Sequence, residues 1–265
     1  MTRITIGQYY PTGSIIHRLD PRVKLMSVFM YITVLLFANT FAGYLVATVF
    51  IAILVRLSKI PLILILRGLR PVLFMLIFAA SINLLLTPGE NTIFALGFIN
   101  ITTEGIILAS QMGARLTLLI IGTSILTLTS SPIQLTDGIE FGLRPLKKFK
   151  VPAHDIAMLM TIALRFIPTL TDELDKIIKA QKARGADMET GGLIKRSKSL
   201  IPVLIPLFVS AFKRADELAT AMEARCYRGD INRSKMKIMK TTPKDWIALG
   251  VMIIFCTIIF ITRFL

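Results

Sequence analysis

The stretch LMSVFMYITVLLFANTFAGYLVATVFIAILV, Leu25–Val55, runs 31 residues without a Lys, Arg, Asp or Glu. One straight helix of that length would reach about 46 Å at 1.5 Å per residue, against a bilayer hydrocarbon core of roughly 30 Å. Asn39-Thr40-Phe41-Ala42-Gly43 at its middle supplies turn-forming residues. The stretch therefore reads as two short helices, 25–38 and 43–56, in a hairpin; the other geometry is a single tilted helix. Charge chooses between them. A single crossing would set Arg56, Lys59, Arg67 and Arg70 opposite Arg18, Arg22 and Lys24, whereas a hairpin puts all of them on one side, as the cytoplasmic preference of basic residues favours.

Working outward, three more runs lack charge: Pro71–Gly89, Leu116–Thr136 and Trp246–Thr262. Charged residues make up only 18% of the chain, against about 25% in an ordinary soluble domain, and mean hydropathy is +0.70. The third span is expected over 71–88, opened by Pro71 in a first turn, where its missing N–H is harmless. The fourth is expected over 105–130. The fifth, at 245–263, has Thr242-Pro243 and Asp245 as its cap and Trp246 at the interface. Between the third and fourth, Glu90–Glu104 has no basic residue and suits an external segment, with Thr92–Ile101 able to form a short surface hairpin. The N-terminus is then cytoplasmic and the C-terminus external. Of 31 Lys and Arg residues, only Arg115 and Arg263 fall in a span or outside, so the net charge of +15 marks the inner face of a membrane rather than a nucleic-acid surface. Met1–Tyr10 holds one Arg and no long apolar run, which gives no sign of a cleavable signal.

The domain division expected is 1–130, a membrane part with four spans; 131–244, a cytoplasmic helical domain; and 245–265, the last span. The middle region carries 21 Lys and Arg residues. A short helix opens at Ser131-Pro132. A long one follows Pro152, with Ile156, Leu159, Ala163, Phe166, Ile167, Leu170, Leu174, Ile177 and Ile178 recurring every three or four residues. After a loop at Ala186–Gly192, a second long helix starts near Leu193, with Ala211, Ala215, Leu218 and Met222 as an apolar stripe. Pro168 kinks the first; Pro202 and Pro206 kink or break the second. Ile156–Ile167, which Arg165 interrupts, and Leu200–Ala211 are each only about 12 residues, too short for spans. A plain anionic-lipid-binding layer is the competing reading of this region.

The two long helices end alike, as Ala180-Gln181-Lys182-Ala183-Arg184-Gly185 and Ala221-Met222-Glu223-Ala224-Arg225-Cys226. Both read A-x-x-A-R-small. An arginine there can stabilise its own helix end or offer a planar fork of donors to a partner.

These paired ends resemble the Ala-Arg motifs of the transmembrane T-component of energy-coupling factor transporters. The opening Gly7-Gln8-Tyr9-Tyr10-Pro11, the core His17-x-Leu19-Asp20-Pro21-Arg22-x-Lys24-Leu25, and Arg214-Ala215-Asp216-Glu217-Leu218-Ala219 resemble that family too. Cys226 departs from it, since the first copy has Gly185; a small residue is expected to be tolerated. The resemblance implies a noncatalytic scaffold of a vitamin importer whose coupling helices cross as an X. It implies docking of two ATP-binding-cassette ATPases through Ala183, Arg184, Gly185, Ala224, Arg225 and Cys226. It also implies a vitamin-binding S-component on the apolar face of Leu170, Leu174, Ala211, Ala215, Leu218 and Met222. ATP and Mg would be bound by the partner ATPases, with no cofactor on this chain.

The fold class expected is thus an all-helical integral membrane protein, with about five transmembrane helices plus a cytoplasmic coupling domain of long, amphipathic, Pro-kinked helices. The sequence has no G-x-x-x-x-G-K-[ST] motif, so ATP chemistry belongs to a partner. Apart from Asp245 in the cap of the fifth, the spans lack Asp, Glu and His, which disfavours an intramembrane enzyme. Two cysteines and two histidines are poor material for a metal site or disulfide. His17 is expected to order the N-terminal turn against Asp20 or a backbone carbonyl. Arg115 has two readings: a protein-lined cavity, partner or lipid phosphate deep in the fourth span, or a later start to that span. The rivals are the T-component of a dedicated nickel or cobalt importer and a lipid-binding membrane scaffold.

Overall fold

The computed structural model describes residues 9–88, 92–96, 99–149, 151–186, 192–227, 229 and 241–263. Most of the expected 186–192 loop, and Gly7-Gln8 of the opening motif, lie outside them. The chain forms two compact units, Met1–Gly142 with Ile238–Leu265, and Leu143–Lys237.

In the first unit, α1 (Pro21–Phe37) and α2 (Phe41–Ser58) are separate helices joined by Ala38-Asn39-Thr40, so the long uncharged stretch is a hairpin. Asp20 caps α1, its carboxylate accepting from the Arg22 N–H at 2.9 Å, and Pro21 occupies the first turn. The third helix corrects the sequence expectation: α3 runs Leu62–Leu86 and carries Pro71 in its interior. The last charged residue marks where a helix meets hydrocarbon, not where it starts. At 25 residues, or about 37 Å, α3 exceeds the hydrocarbon core. Arg67 and Arg70 thus sit, exposed, in its opening turns. Two short antiparallel strands, β1 (Thr92–Leu96) and β2 (Ile99–Thr102), link α3 to α4 (Thr103–Thr129), a short hairpin as anticipated for this segment and a small addition to an otherwise helical fold. Then come α5 (Pro132–Leu143) and, at the other end of the chain, α8 (Pro243–Thr262), whose capping box joins Thr242 and Asp245 reciprocally.

Helices α1, α2, α4 and α8 pack around one apolar core, and α3 packs along α4. Phe255 of α8 stacks on Phe50 at 4.1 Å between centroids and on Tyr31 at 6.0 Å. The Tyr31 hydroxyl donates to the Leu118 carbonyl at 2.9 Å. Its ring lies so close to Gly122 that a Cβ there would overlap it, which explains a glycine in the middle of α4.

In the second unit, a 3-10 turn (Arg144–Phe149) precedes α6 (Ala153–Ala183) and α7 (Leu193–Ala224). Pro168 lies within α6, and Pro202 and Pro206 within α7, so neither helix is broken. Tyr227 donates to the Met158 sulfur at 2.8 Å, Arg214 pairs with Glu173 at 3.4 Å, and the Gln181 amide donates to the Pro202 carbonyl at 3.2 Å. The contacts run in opposite order along the two helices, so α6 and α7 run antiparallel.

Among the described residues five helices are long and apolar enough to cross a membrane: α2, α3, α4, α6 and α8. The number is the one expected, but the membership differs. At 17 residues, α1 is short, as suits one arm of a hairpin. By length and composition α6 qualifies, though its most apolar window has mean hydropathy 1.3 against 2.3 for α8.

Candidate functional site

The shared motif at the ends of α6 and α7 folds into the same cap twice. Arg184 and Arg225 are the C-cap residues. After each, the chain turns left-handed, Gly185 at φ +86° and Cys226 at φ +54°. The Gly185 N–H donates to the Lys182 carbonyl and the Ala186 N–H to Gln181, both at 3.0 Å. In the second copy the Cys226 N–H donates to Glu223 at 2.8 Å and the Tyr227 N–H to Met222 at 3.0 Å. Both are Schellman motifs, which satisfy carbonyls that a helix end otherwise leaves unpaired. The requirement at the third position is therefore conformational. Nothing lies within 4 Å of a Cβ built on Gly185, so smallness answers the positive φ rather than a neighbour inside the chain. The sequence signal for this was Gly185 itself, just past a helical pattern ending in Arg.

Ala183, Arg184, Gly185, Ala224, Arg225 and Cys226 are all exposed. Antiparallel packing puts the two arginines at opposite ends of the pair. Arg184 lies three residues past Gln181, which is level with Pro202; from Pro202 to Arg225 is 23 residues of helix, or about 35 Å. Two such forks can serve two separate partners but not one small ligand.

Of the expected apolar platform, Leu170, Leu174, Ala211, Leu218 and Met222 are half-buried and only Ala215 is exposed. The outward apolar stripe of α7 lies nearer its N-terminal half, at Ile201, Ile205, Phe208, Val209 and Phe212, with Phe208 61% and Phe212 73% exposed. Both stripes have helical spacing, and spacing alone does not tell which one faces α6.

The opening motif is a clasp within the first unit. The Ser14 hydroxyl donates to His17 Nδ1 at 2.7 Å and His17 Nε2 donates to the Tyr10 carbonyl at 2.8 Å, the tautomer assigned from this network. His17 thus orders the turn through a backbone carbonyl. Lys24, buried, donates to the His17 carbonyl at 3.1 Å and the Thr129 carbonyl at 2.9 Å. The Asp20 N–H donates to Asp245 at 2.8 Å. The N-terminal segment, α1, α4 and α8 are thereby tied together by residues spread over the whole chain, and Asp245 as a partner for Asp20 was invisible in the sequence.

Arg115 is likewise an internal tie. Its guanidinium donates to the Ala38 carbonyl at 2.7 Å, the Asn39 side chain at 2.9 Å and the Tyr44 hydroxyl at 3.1 Å. It sits at the tip of the α1–α2 hairpin, so its charge is met by oxygens of this chain. Among the described residues no cluster of three or more His, Cys, Asp or Glu suited to a metal ion occurs.

A family model described as Cobalt transport protein, CbiQ, matches residues 12–238, which includes both arginine ends. The energy-coupling factor transporter transmembrane protein EcfT of Ruminiclostridium cellulolyticum is 55% identical over 254 residues, 96% of this chain and 95% of the relative. The protein of the same name from Clostridium kluyveri is 54% identical over 92% of this chain and 91% of its own. That of Bacillus subtilis is 41% identical over 99% of both. Shared identity over nearly the full length, together with the apolar helices, settles the assignment: the chain belongs to the CbiQ family and is the multi-pass transmembrane component of an energy-coupling factor transporter.

Proposed function

We propose that the chain is the noncatalytic scaffold that couples ATP hydrolysis on two partner ABC ATPases to vitamin uptake through a substrate-binding S-component. The observation that carries the reading is the duplicated helix end: two exposed C-cap arginines, on identical Schellman turns, at opposite ends of one antiparallel pair. A planar guanidinium matches carboxylate or carbonyl acceptors in a groove, and the small residue after it keeps the turn slim. The partners bind ATP and Mg; this chain holds no cofactor. In this reading residues 131–244 form the cytoplasmic coupling domain between the membrane parts 1–130 and 245–265, in the cell membrane. The S-component packs on the apolar α6–α7 surface, with the Leu170, Leu174, Ala211, Ala215, Leu218 and Met222 face extended by the exposed stripe of α7.

The test is copurification of the ATPases with variants, followed by vitamin uptake in vesicles. Losing a charge-assisted hydrogen bond at a desolvated interface costs about 1.5–3 kcal/mol, or roughly a 10- to 150-fold loss of affinity. Arg184→Glu with Arg225→Glu should abolish both association and uptake. Arg184→Lys with Arg225→Lys should weaken them, because an ammonium has charge but no fork. Full uptake by the double Lys variant would refute groove docking and favour a lipid-surface role. A second reading, a dedicated nickel or cobalt importer, draws on the family description, which names cobalt. It predicts one fixed metal-binding partner in the purified complex instead of varied vitamin-binding ones.

A further inference from the structure

Within the first unit, α1, α2, α4 and α8 line a half-open cavity of about 430 Å³, in the size range of small-ligand pockets, about 300–1,000 Å³. Its wall is mainly aliphatic and aromatic, with Leu19, Leu54, Ile125, Ala248 and Met252 among the lining residues. Five lining side chains carry a polar group: Lys24, Ser27, Tyr31, Thr129 and Lys244. Three of these are committed to carbonyls of the chain, Lys24 to His17 and Thr129, Tyr31 to Leu118, and Thr129 to Ile125. Ser27 and the exposed Lys244 remain to meet an occupant.

Water is a poor filling, since a buried water needs two to four polar partners. Emptiness is unfavourable where close packing is the norm. The occupant that fits has a long apolar body and one anionic end. Its length is also defined. The α8 wall runs from Lys244 to Met252, eight residues or about 12 Å, close to half of a hydrocarbon core of about 30 Å. The cavity therefore spans one leaflet, with its cationic residue at the headgroup end.

We infer that this cavity holds one acyl chain of an anionic phospholipid drawn from the leaflet at the α8 N-terminus, with the lipid phosphate on Lys244. The bound chain fills the space between α1 and α8 under the opening clasp.

The test is native mass spectrometry of the full chain in mild detergent, after incubation with equal amounts of phosphatidylglycerol and phosphatidylcholine of the same acyl chains. One phosphatidylglycerol per chain should be retained in preference to phosphatidylcholine. Lys244→Gln should reduce that preference about fivefold, the factor for one basic residue at a bilayer surface, and Lys244→Arg should keep it. Ala248→Phe, which fills the cavity, should abolish retention of both lipids. Equal retention of the two lipids by the wild type would mean ordinary annular lipid and overturn the proposal. So would unchanged preference in Lys244→Gln, or a lipid surviving in a folded Ala248→Phe. If Ala248→Phe does not fold, the Lys244 variants, altered at an exposed position, decide alone.

Discussion

Cys226 and Gly185 occupy equivalent places in two copies of one cap, yet only one of them suits the backbone. A left-handed conformation costs a residue with a Cβ roughly 1–2 kcal/mol, and Cys226 adopts it at φ +54°. Cys226→Gly should therefore stabilise the end of α7 by about 1 kcal/mol. For a chain of this size that is a rise of about 2–4 °C in the thermal midpoint in detergent. Cys226→Val, β-branched, should lower it. A fall with glycine would show that the thiol makes a contact worth more than the relief of strain. At the same scale, the half-buried Arg115 and the buried Lys24 show how cations are accommodated: each is aimed at backbone carbonyls left open by turns or helix ends. Two of those carbonyls, at Ala38 and Thr129, belong to elements distant in sequence, and for that reason the sequence left Arg115 with two readings.

Helices were legible where the chemistry is local. Thr242-Pro243-Lys244-Asp245 announces the start of α8 and Gly185 the end of α6, whereas α1 starts at Pro21, four residues ahead of the uncharged stretch read as its beginning. Pro71 misleads because proline marks either a first turn or a tolerated interior position, and the choice depends on α4 packed alongside α3. The α7 face is the harder case. Its half-buried stripe and its exposed stripe have the same period, and only their burial in the folded unit tells them apart. The exposed stripe makes a prediction about the proposed S-component. An exposed apolar patch marks a partner site, so Phe208→Asp should reduce S-component capture in pull-downs while the ATPases stay bound. Leu218→Asp, at a half-buried position, should lower the thermal midpoint as well, because it places a charge at a partly desolvated site. Capture unaffected by Phe208→Asp would assign that stripe to lipid.

For the molecule as a whole, the open question is sidedness, and the helices sharpen it. With α1, α2, α3, α4 and α8 as the crossings, an N-terminus inside gives a C-terminus outside and keeps nearly all basic residues in the cytoplasm. If α6 crossed as well, the parity would change. Two observations weigh against that. Arg214 and Pro202 of α7 are bonded to Glu173 and Gln181 of α6, and α6 crossing alone would break these contacts. In α7 the uncharged run between Lys198 and Lys213 is only 14 residues, about 21 Å, short of the roughly 30 Å core. Three cysteine probes settle the matter with an impermeant maleimide on intact cells. The first is Phe41→Cys in a chain with both native cysteines replaced; Phe41 is 81% exposed at the hairpin tip, and it should label from outside. Native Cys226, free and exposed, should label only after permeabilisation, and so should Ala180→Cys near the end of α6. Labelling of Ala180→Cys from outside with Cys226 still protected would mean that α6 and α7 both cross. Labelling of both from outside would mean that α6 crosses alone, and either result would remove the cytoplasmic docking of Arg184 on which the proposed coupling function rests.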